Sequence, residues 1–173
     1  MDRMDARPER ADFEQWYGRE HGRVLASLTL ISGDADLARE ATDEAFARAV
    51  LHWARVGAMA SPGGWTFRVA LNQLRRSSRR RAVERTLLRR CLPADTMSAP
   101  AGEAWAIVAD LPVRQRTAIV LRYVADLTEA EIGEAMGVQR GTVSSPLADA
   151  RRSLAEQLRE PDPTAEVCHV AIR

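Results

Sequence analysis

The stretch LPVRQRTAIVLRYVADLTEAEIGEAMGVQRGTVSSPLADARRSL, residues 111–154, decides the fold class. Pro112 opens a helix that carries Ile119, Val120 and Val124. Thr128 with Glu131 three residues later is a capping box, and Ile132 and Met136 continue the apolar stripe behind it. Gly137 then stops the short helix as a left-handed residue, with Val138 plugging the turn. Val143, Leu147, Ala150, Leu154 and Leu158 keep helical spacing through the next segment. A short helix, a glycine turn and a second helix present a helix to the DNA major groove, although such pairs also serve as plain structure. Pro146 complicates the second helix. A start near Arg140 puts the proline inside the helix, at a cost of about 3 kcal/mol. A start at Pro146, with Ser145 as N-cap, tolerates it. The apolar period runs unbroken across the proline, so the expectation is one helix over about 140–157, kinked at 142–146.

Upstream, Ser61-Pro62 is a second start signal, with Ser as N-cap and Pro at the first helical position. Phe67, Ala70, Leu71 and Leu74 make the apolar face of the helix that follows. Arg68, Asn72, Arg75, Arg76 and Arg79 line up roughly opposite. Arginine offers a planar fork that stays charged, and asparagine offers the donor and acceptor that a base edge needs. Trp65 lies near this stripe, placed either to stack on a base or to pack on the preceding loop.

The net charge of +1 hides a strong asymmetry. Residues 61–92 hold 9 Arg against one acid, whereas residues 1–60 hold 8 Arg against 11 acids and residues 93–173 hold 8 Arg against 12 acids. A basic strip of this kind suits a polyanion, and it also fits a solvated helix end. All 25 basic residues are Arg and 29 residues are Ala, as a GC-rich coding bias would give. Ahead of the strip, Asp12 with Gln15 resembles a capping box for a helix running to about Leu30, and Ser32-Gly33-Asp34 is a turn. A helix from about Ala35 to Arg55 then places Ala38, Ala41, Ala45 and Ala49 on one face and Asp36, Glu40, Asp43 and Glu44 on another. That acidic stripe is either a solvated surface or a dock for a basic partner.

No β-type alternation stands out, so the fold is read as all-α. Residues 91–103, with two Pro, a Gly and small polar side chains, read as a flexible linker between two small helical domains, 12–90 and 104–158. The tail, residues 159–173, is broken by Pro161 and Pro163 before Val167, Val170 and Ile172, and reads as unstructured. Two distant cysteines argue against a disulfide framework and for a reducing cytoplasm, and no apolar run is long enough to span a membrane. An enzyme is disfavoured. His21, His52 and His169 are scattered, His21 reads as a packing residue, and no metal-spaced pair, phosphate loop or nucleophile motif appears, so no cofactor is expected.

Residues 111–154 resemble the fourth region of bacterial RNA polymerase sigma factors of the sigma-70 family, extracytoplasmic-function group. The stretch FEQWYGREHGRVLASLTLISGDADLAREATDEAFARAV, residues 13–50, is similar to the polymerase-docking part of region two, and SPGGWTFRVALNQLRRSSRRR, residues 61–81, to its −10-reading helix. The resemblance implies a non-catalytic promoter-recognition subunit. It implies docking on core RNA polymerase, at the β′ clamp helices through Asp36, Glu40, Asp43, Glu44 and Phe46, and also at the β flap. It puts residues 56–60 where a flipped non-template base is held, and Trp65, Arg68, Asn72, Arg75, Arg76 and Arg79 at the −10 element. Arg140, Thr142, Ser144, Ser145, Ala148, Arg151 and Arg152 would meet −35 DNA, and an anti-sigma factor becomes a candidate partner. This chain departs from the family where it has Ser144-Ser145-Pro146 in place of a Lys and Arg run, Gln139 at the recognition-helix cap, and Arg76 where an Asp is common. The alternative is a stand-alone helix-turn-helix regulator, which leaves the acidic stripe and the Arg helix without a role.

Overall fold

The computed structural model describes residues 6–88 and 103–157. Among these residues the chain is all-α, with no strand: α1 Ala6–Ser32, α2 Ala35–Leu51, α3 Trp53–Val56, α4 Pro62–Leu88, α5 Glu103–Ala109, α6 Val113–Tyr123, α7 Glu129–Met136, a 3₁₀ turn Arg140–Thr142, and α8 Ser144–Gln157. Almost all of the expected linker, together with Leu158 and the tail, lies outside the described residues.

Helix α1 does not start at Asp12. It is already formed at Ala6, and Asp12 is an exposed interior residue. An Arg10–Glu14 pair at 3.1 Å spans that point and supports the helical turn. At the other end the Gly33 N–H donates to the Thr29 carbonyl at 2.9 Å, and Gly33 takes φ +70°, which glycine enters without penalty. Asp34 then caps α2 by accepting from the Asp36 and Leu37 N–H groups at 3.0 and 2.9 Å. The alanine face of α2 is realised, with Ala38, Ala41, Ala45 and Ala49 fully buried. Side chains this small let α1 and α4 pack close on either side. The expected helix to Arg55 is interrupted: α2 ends at Leu51, His52 breaks the path, and α3 follows as a separate turn. The break swings Trp53 into a ring cluster, 5.2 Å from Phe13 and 4.8 Å from Trp16.

In α4, Ser61 accepts from the Gly64 N–H at 3.1 Å, and Phe67, Ala70, Leu71 and Leu74 are buried. The capping box of α7 forms as its spacing requires. Gly137 is left-handed at φ 70°, and the bonds from Gly137 N–H to Glu134 and from Val138 N–H to Gly133 close the helix end.

The expected continuous helix from 140 to 157 is corrected. Residues 140–142 form a 3₁₀ turn, held by Thr142 N–H to Gln139 and Val143 N–H to Arg140 at 2.9 and 3.0 Å. The α-helix proper begins at Ser144, neither at Arg140 nor at Pro146. Pro146 has no N–H for the Thr142 carbonyl, so the first α-type bond across the junction is Leu147 N–H to Val143, at 3.2 Å. The proline falls in the first turn, where its missing donor costs nothing. The apolar period survives because Val143, Leu147 and Ala150 are all buried.

The two helical halves share one hydrophobic core. α1 packs on α5 and α6, and α4 lies along α7. Trp105 covers Gly33 so closely that an added Cβ would sit 2.4 Å from its ring. Arg116 stacks on Trp105 at 5.1 Å and donates to the Ala109, Leu111 and Ile31 carbonyls, tying α6 to the end of α1. Gly33→Ala should therefore destabilise the fold by at least about 1–2 kcal/mol, since the left-handed backbone penalty and the clash with Trp105 add. Urea unfolding of the full chain checks this value, and a change below about 0.5 kcal/mol would contradict it.

Candidate nucleic-acid interface

The arginine run of α4 divides by direction. Arg81 reaches the second oxygen of Asp34 at 2.9 Å and so braces the cap of α2. Arg80 faces Glu40 at 3.9 Å and Glu84 at 3.7 Å. Arg68, Asn72, Arg75, Arg76 and Arg79 instead share the exposed face, as the spacing predicts. Among the described residues, Arg68, Arg76 and Arg79 have neither hydrogen bond nor ion pair, so their charge is open to a ligand. Asn72 accepts from Arg75 at 3.4 Å, and Arg75 also reaches the Met136 carbonyl of α7 at 3.4 Å. Burial, and then the neighbouring charge of Arg79, push the Arg75 guanidinium below its usual value. Trp65 is half-buried against the core rather than free on the face.

At the start of α4, the Ser61 hydroxyl donates to the Glu131 carboxylate of α7. Glu131 also accepts from the Thr128 N–H and hydroxyl at 2.8 and 2.7 Å. Burial raises the pKa of this carboxyl, but the bonds from Ser61 and Thr128 and the charge of Arg23 outweigh it, leaving a value below the ordinary one. A depressed carboxylate pKa stabilises the fold above its unfolded value and loses that contribution as pH falls through the folded one. This Ser61–Glu131 contact is absent from the sequence reading, because nothing in the spacing of 61 and 131 signals it.

The acidic stripe of α2 is exposed but internally engaged. Asp36 pairs with Arg39 at 3.0 Å, Glu44 with Arg48 at 2.6 Å, and Asp43 lies 3.5 Å from His21. Glu40 accepts from Ser77 of α4 at 2.8 Å and thus turns toward the bundle. Phe46 is buried, 5.2 Å from Trp16 and 5.0 Å from Tyr17, so it shapes this surface from beneath. His21 packs between Tyr17 and Phe46, as a packing histidine should. The ring cluster of Phe13, Trp16, Tyr17, Phe46 and Trp53 is a feature the sequence reading missed, although the i, i+3, i+4 spacing of the first three was the available signal. Residues 57–60 form the loop between α3 and α4, and Gly57, Ala58 and Ala60 are exposed there.

On the second half, Arg140, Thr142, Ser144, Ser145, Ala148, Arg151 and Arg152 are all exposed. Ser144 donates to Glu129 at 3.3 Å, Ser145 to Asp149 at 3.4 Å, and Arg152 pairs with the same Asp149 at 3.3 Å. Arg151 turns to Tyr123 of α6, donating to its hydroxyl at 2.9 Å. Among the described residues no group of His, Cys, Asp and Glu is arranged to hold a metal, and no helix is long and apolar enough to cross a membrane.

Residues 102–154 match the family model described as Sigma-70, region 4. The chain is 42% identical over 50 residues to the ECF RNA polymerase sigma factor SigW of Bacillus subtilis (strain 168), a match covering 29% of this chain and 27% of SigW. The chain thus spans about a quarter of the length of that curated relative. Its fold is similar to the sigma factor RpoE in complex with the anti-sigma factor NepR from Bartonella quintana, at TM-score 0.70 and 19% identity, covering 86% of this chain and 99% of that one. It is also similar to CnrH in complex with the cytosolic domain of CnrY, at TM-score 0.58 and 19% identity, covering 84% and 86% of the two chains.

The division of the arginine run gives a direct test. Arg81→Ala should cost about 1 kcal/mol of stability, because it removes a charged partner from a helix cap. Arg76→Ala should stay within about 0.5 kcal/mol of the parent. Paired urea titrations decide between these outcomes and equal effects at both positions.

Proposed function

We propose that this chain is a member of the sigma-70 family, extracytoplasmic-function group, and that it binds core RNA polymerase and directs it to promoters by reading −10 and −35 DNA; the region 4 match, the similarity to SigW and the shared fold support this reading. The reading rests above all on the exposed face of α4, where Arg68, Arg76 and Arg79 stand around Asn72 with no partner among the described residues. Three free guanidinium groups supply phosphate contacts, and Asn72 supplies the donor and acceptor pattern for a base edge. Trp65 and residues 56–60 complete the −10 surface in this proposal. Asp36, Asp43 and Glu44 form the dock for the β′ clamp helices, with Phe46 holding their backbone in place. The exposed face of α8 and the 3₁₀ turn, from Arg140 through Thr142, Ser144, Ser145 and Ala148 to Arg152, meets −35 DNA and leaves the β flap to neighbouring surface. Catalysis belongs to the polymerase. The chain works in the cytoplasm, and an anti-sigma factor is a fitting regulator because both structural relatives were solved with protein partners, one of them named as an anti-sigma factor.

The packing of the halves constrains how this works. Elements at −10 and −35 lie about 25 base pairs apart, roughly 85 Å of B-DNA at about 3.4 Å per base pair. Here the helix-turn-helix lies against the −10 helix itself, through Ser61–Glu131 and Arg75–Met136. The two elements are therefore read only after α7 leaves α4, and the closed arrangement is the resting form.

Run-off transcription with core polymerase, with and without this chain, tests the proposal, and a discrete start site that depends on the chain is expected. In the resulting holoenzyme Asn72→Ala should lose base discrimination at one −10 position, by about 1–3 kcal/mol, whereas Arg79→Ala should weaken all sequences alike and flatten the salt dependence. Identical behaviour of the two variants across base substitutions would overturn the division into reader and anchor.

Opening has its own signature. Glu131→Ala removes both the Ser61 contact and half of the α7 cap, whereas Ser61→Ala removes the contact and weakens only the α4 cap. Both should increase single-stranded −10 oligonucleotide binding by the full chain, despite a lower unfolding midpoint. Unchanged binding in both variants would show that the contact does not hold the halves closed.

A further inference from the structure

An apolar groove of about 460 Å³ lies between α1, α5, α6 and α8, outside every surface assigned above except at Arg151. Leu30, Ile107, Val124, Leu154 and Ala155 line it, with Tyr123 and Arg151 at the rim. Tyr123 is 62% exposed, and Ile107 and Val124 are 39% and 38% exposed. Neighbouring apolar side chains left this open are a docking surface rather than scattered surface residues. Leu30 belongs to the first half and the rest to the second, so whatever sits here fastens the halves together.

We infer that the occupant is this chain's own C-terminal segment, residues 166–172, seated with Val167, Val170 and Ile172 in the groove and Glu166 against Arg151. Three observations single it out. Leu154 and Ala155 lie in the last turn of α8, so the chain leaves the described structure at the margin of the groove. The ten residues from Gln157 to Val167 span up to about 33 Å when extended, enough to fold back over α8. The charges also match: the lining residues include one charged side chain, Arg151, and the apolar run is preceded directly by Glu166. A tether this short keeps the segment at an effective concentration near millimolar, which favours it over a second copy of the chain. The tail is then a staple on the closed arrangement, and this inference rests on the fold and not on the proposed promoter reading.

Cys168, in the middle of the segment, provides the test. In the full chain carrying Cys91→Ser, Ile107→Cys puts a thiol in the groove, while Val50→Cys puts a control thiol on exposed α2. Under mild oxidation at low protein concentration, the 107–168 disulfide should form within single chains at least ten times faster than the 50–168 disulfide. Adding Val170→Asp and Ile172→Asp should abolish that preference. Equal rates, or no disulfide at either position, would overturn the seating, and disulfides between chains that scale with concentration would assign the groove to a second copy instead. Amide exchange gives a readout free of cysteines: deleting residues 160–173 should raise exchange in α5 and at the end of α6 by fivefold or more, and unchanged exchange would overturn the inference.

Discussion

One carboxylate, Glu131, terminates two helices that are 70 positions apart in sequence. It closes the capping box of α7 by accepting from Thr128, and it takes the hydroxyl proton of Ser61 while that hydroxyl caps α4. The Thr128 and Gly64 N–H groups satisfied in this way are ones that a helix start would otherwise leave open. Because the two caps share one side chain, the local order of each helix is coupled to the contact between the halves. Charge-assisted bonds of this kind are about twice as strong as neutral ones, yet this one sits at an edge that water can reach, with Thr128 exposed. The contact thus joins the two halves at an edge that solvent reaches.

The charge asymmetry of the sequence resolves into two jobs once directions are known. The +8 of residues 61–92 is not one uniform strip. Arg80 and Arg81 turn back to Glu40, Glu84 and Asp34 and hold α4 on α2, while Arg68, Arg76 and Arg79 are exposed and have no partner among the described residues. A net-charge argument counts all of these arginines equally. A phosphate feels mainly the unpaired ones, since the paired ones are neutralised within a few ångströms and must be freed before they contribute.

What the sequence made legible were features governed by neighbours in the chain. The turn at Ser32-Gly33-Asp34, the serine cap at Ser61, the Thr128–Glu131 box and the left-handed Gly137 are all set within four residues, and each stands where the spacing put it. The alanine face of α2 was legible for the same reason. The errors came where a local signal competed with a longer-range demand. Asp12 and Gln15 look like a helix start, but the Arg10–Glu14 pair carries the helix past them. The pattern through Arg55 looks continuous, but Trp53 is drawn into the ring cluster and α2 breaks at His52. At Pro146 both simple readings failed, because the chain uses a tighter 3₁₀ turn ahead of the helix to place the proline in its first turn. Contacts such as Ser61–Glu131 and Trp105–Gly33 join residues about 70 apart, and no periodicity encodes them.

The same local economy bears on the face of α8. Its exposed donors already have acceptors on the surface: Ser144 uses Glu129, and Ser145 and Arg152 share Asp149. A phosphate approaching this face must displace carboxylates from those donors, and it meets the repulsion of Asp149 and Glu129 as it does so. On α4, in the proposed open form with α7 moved away, the corresponding face has three guanidinium groups that, among the described residues, hold no carboxylate to be displaced. Counterion release per contact is alike on the two faces, so the difference lies in the exchange that α8 requires and α4 does not. If both helices read DNA as proposed, affinity falls mainly to α4, and α8 contributes register and spacing more than binding energy.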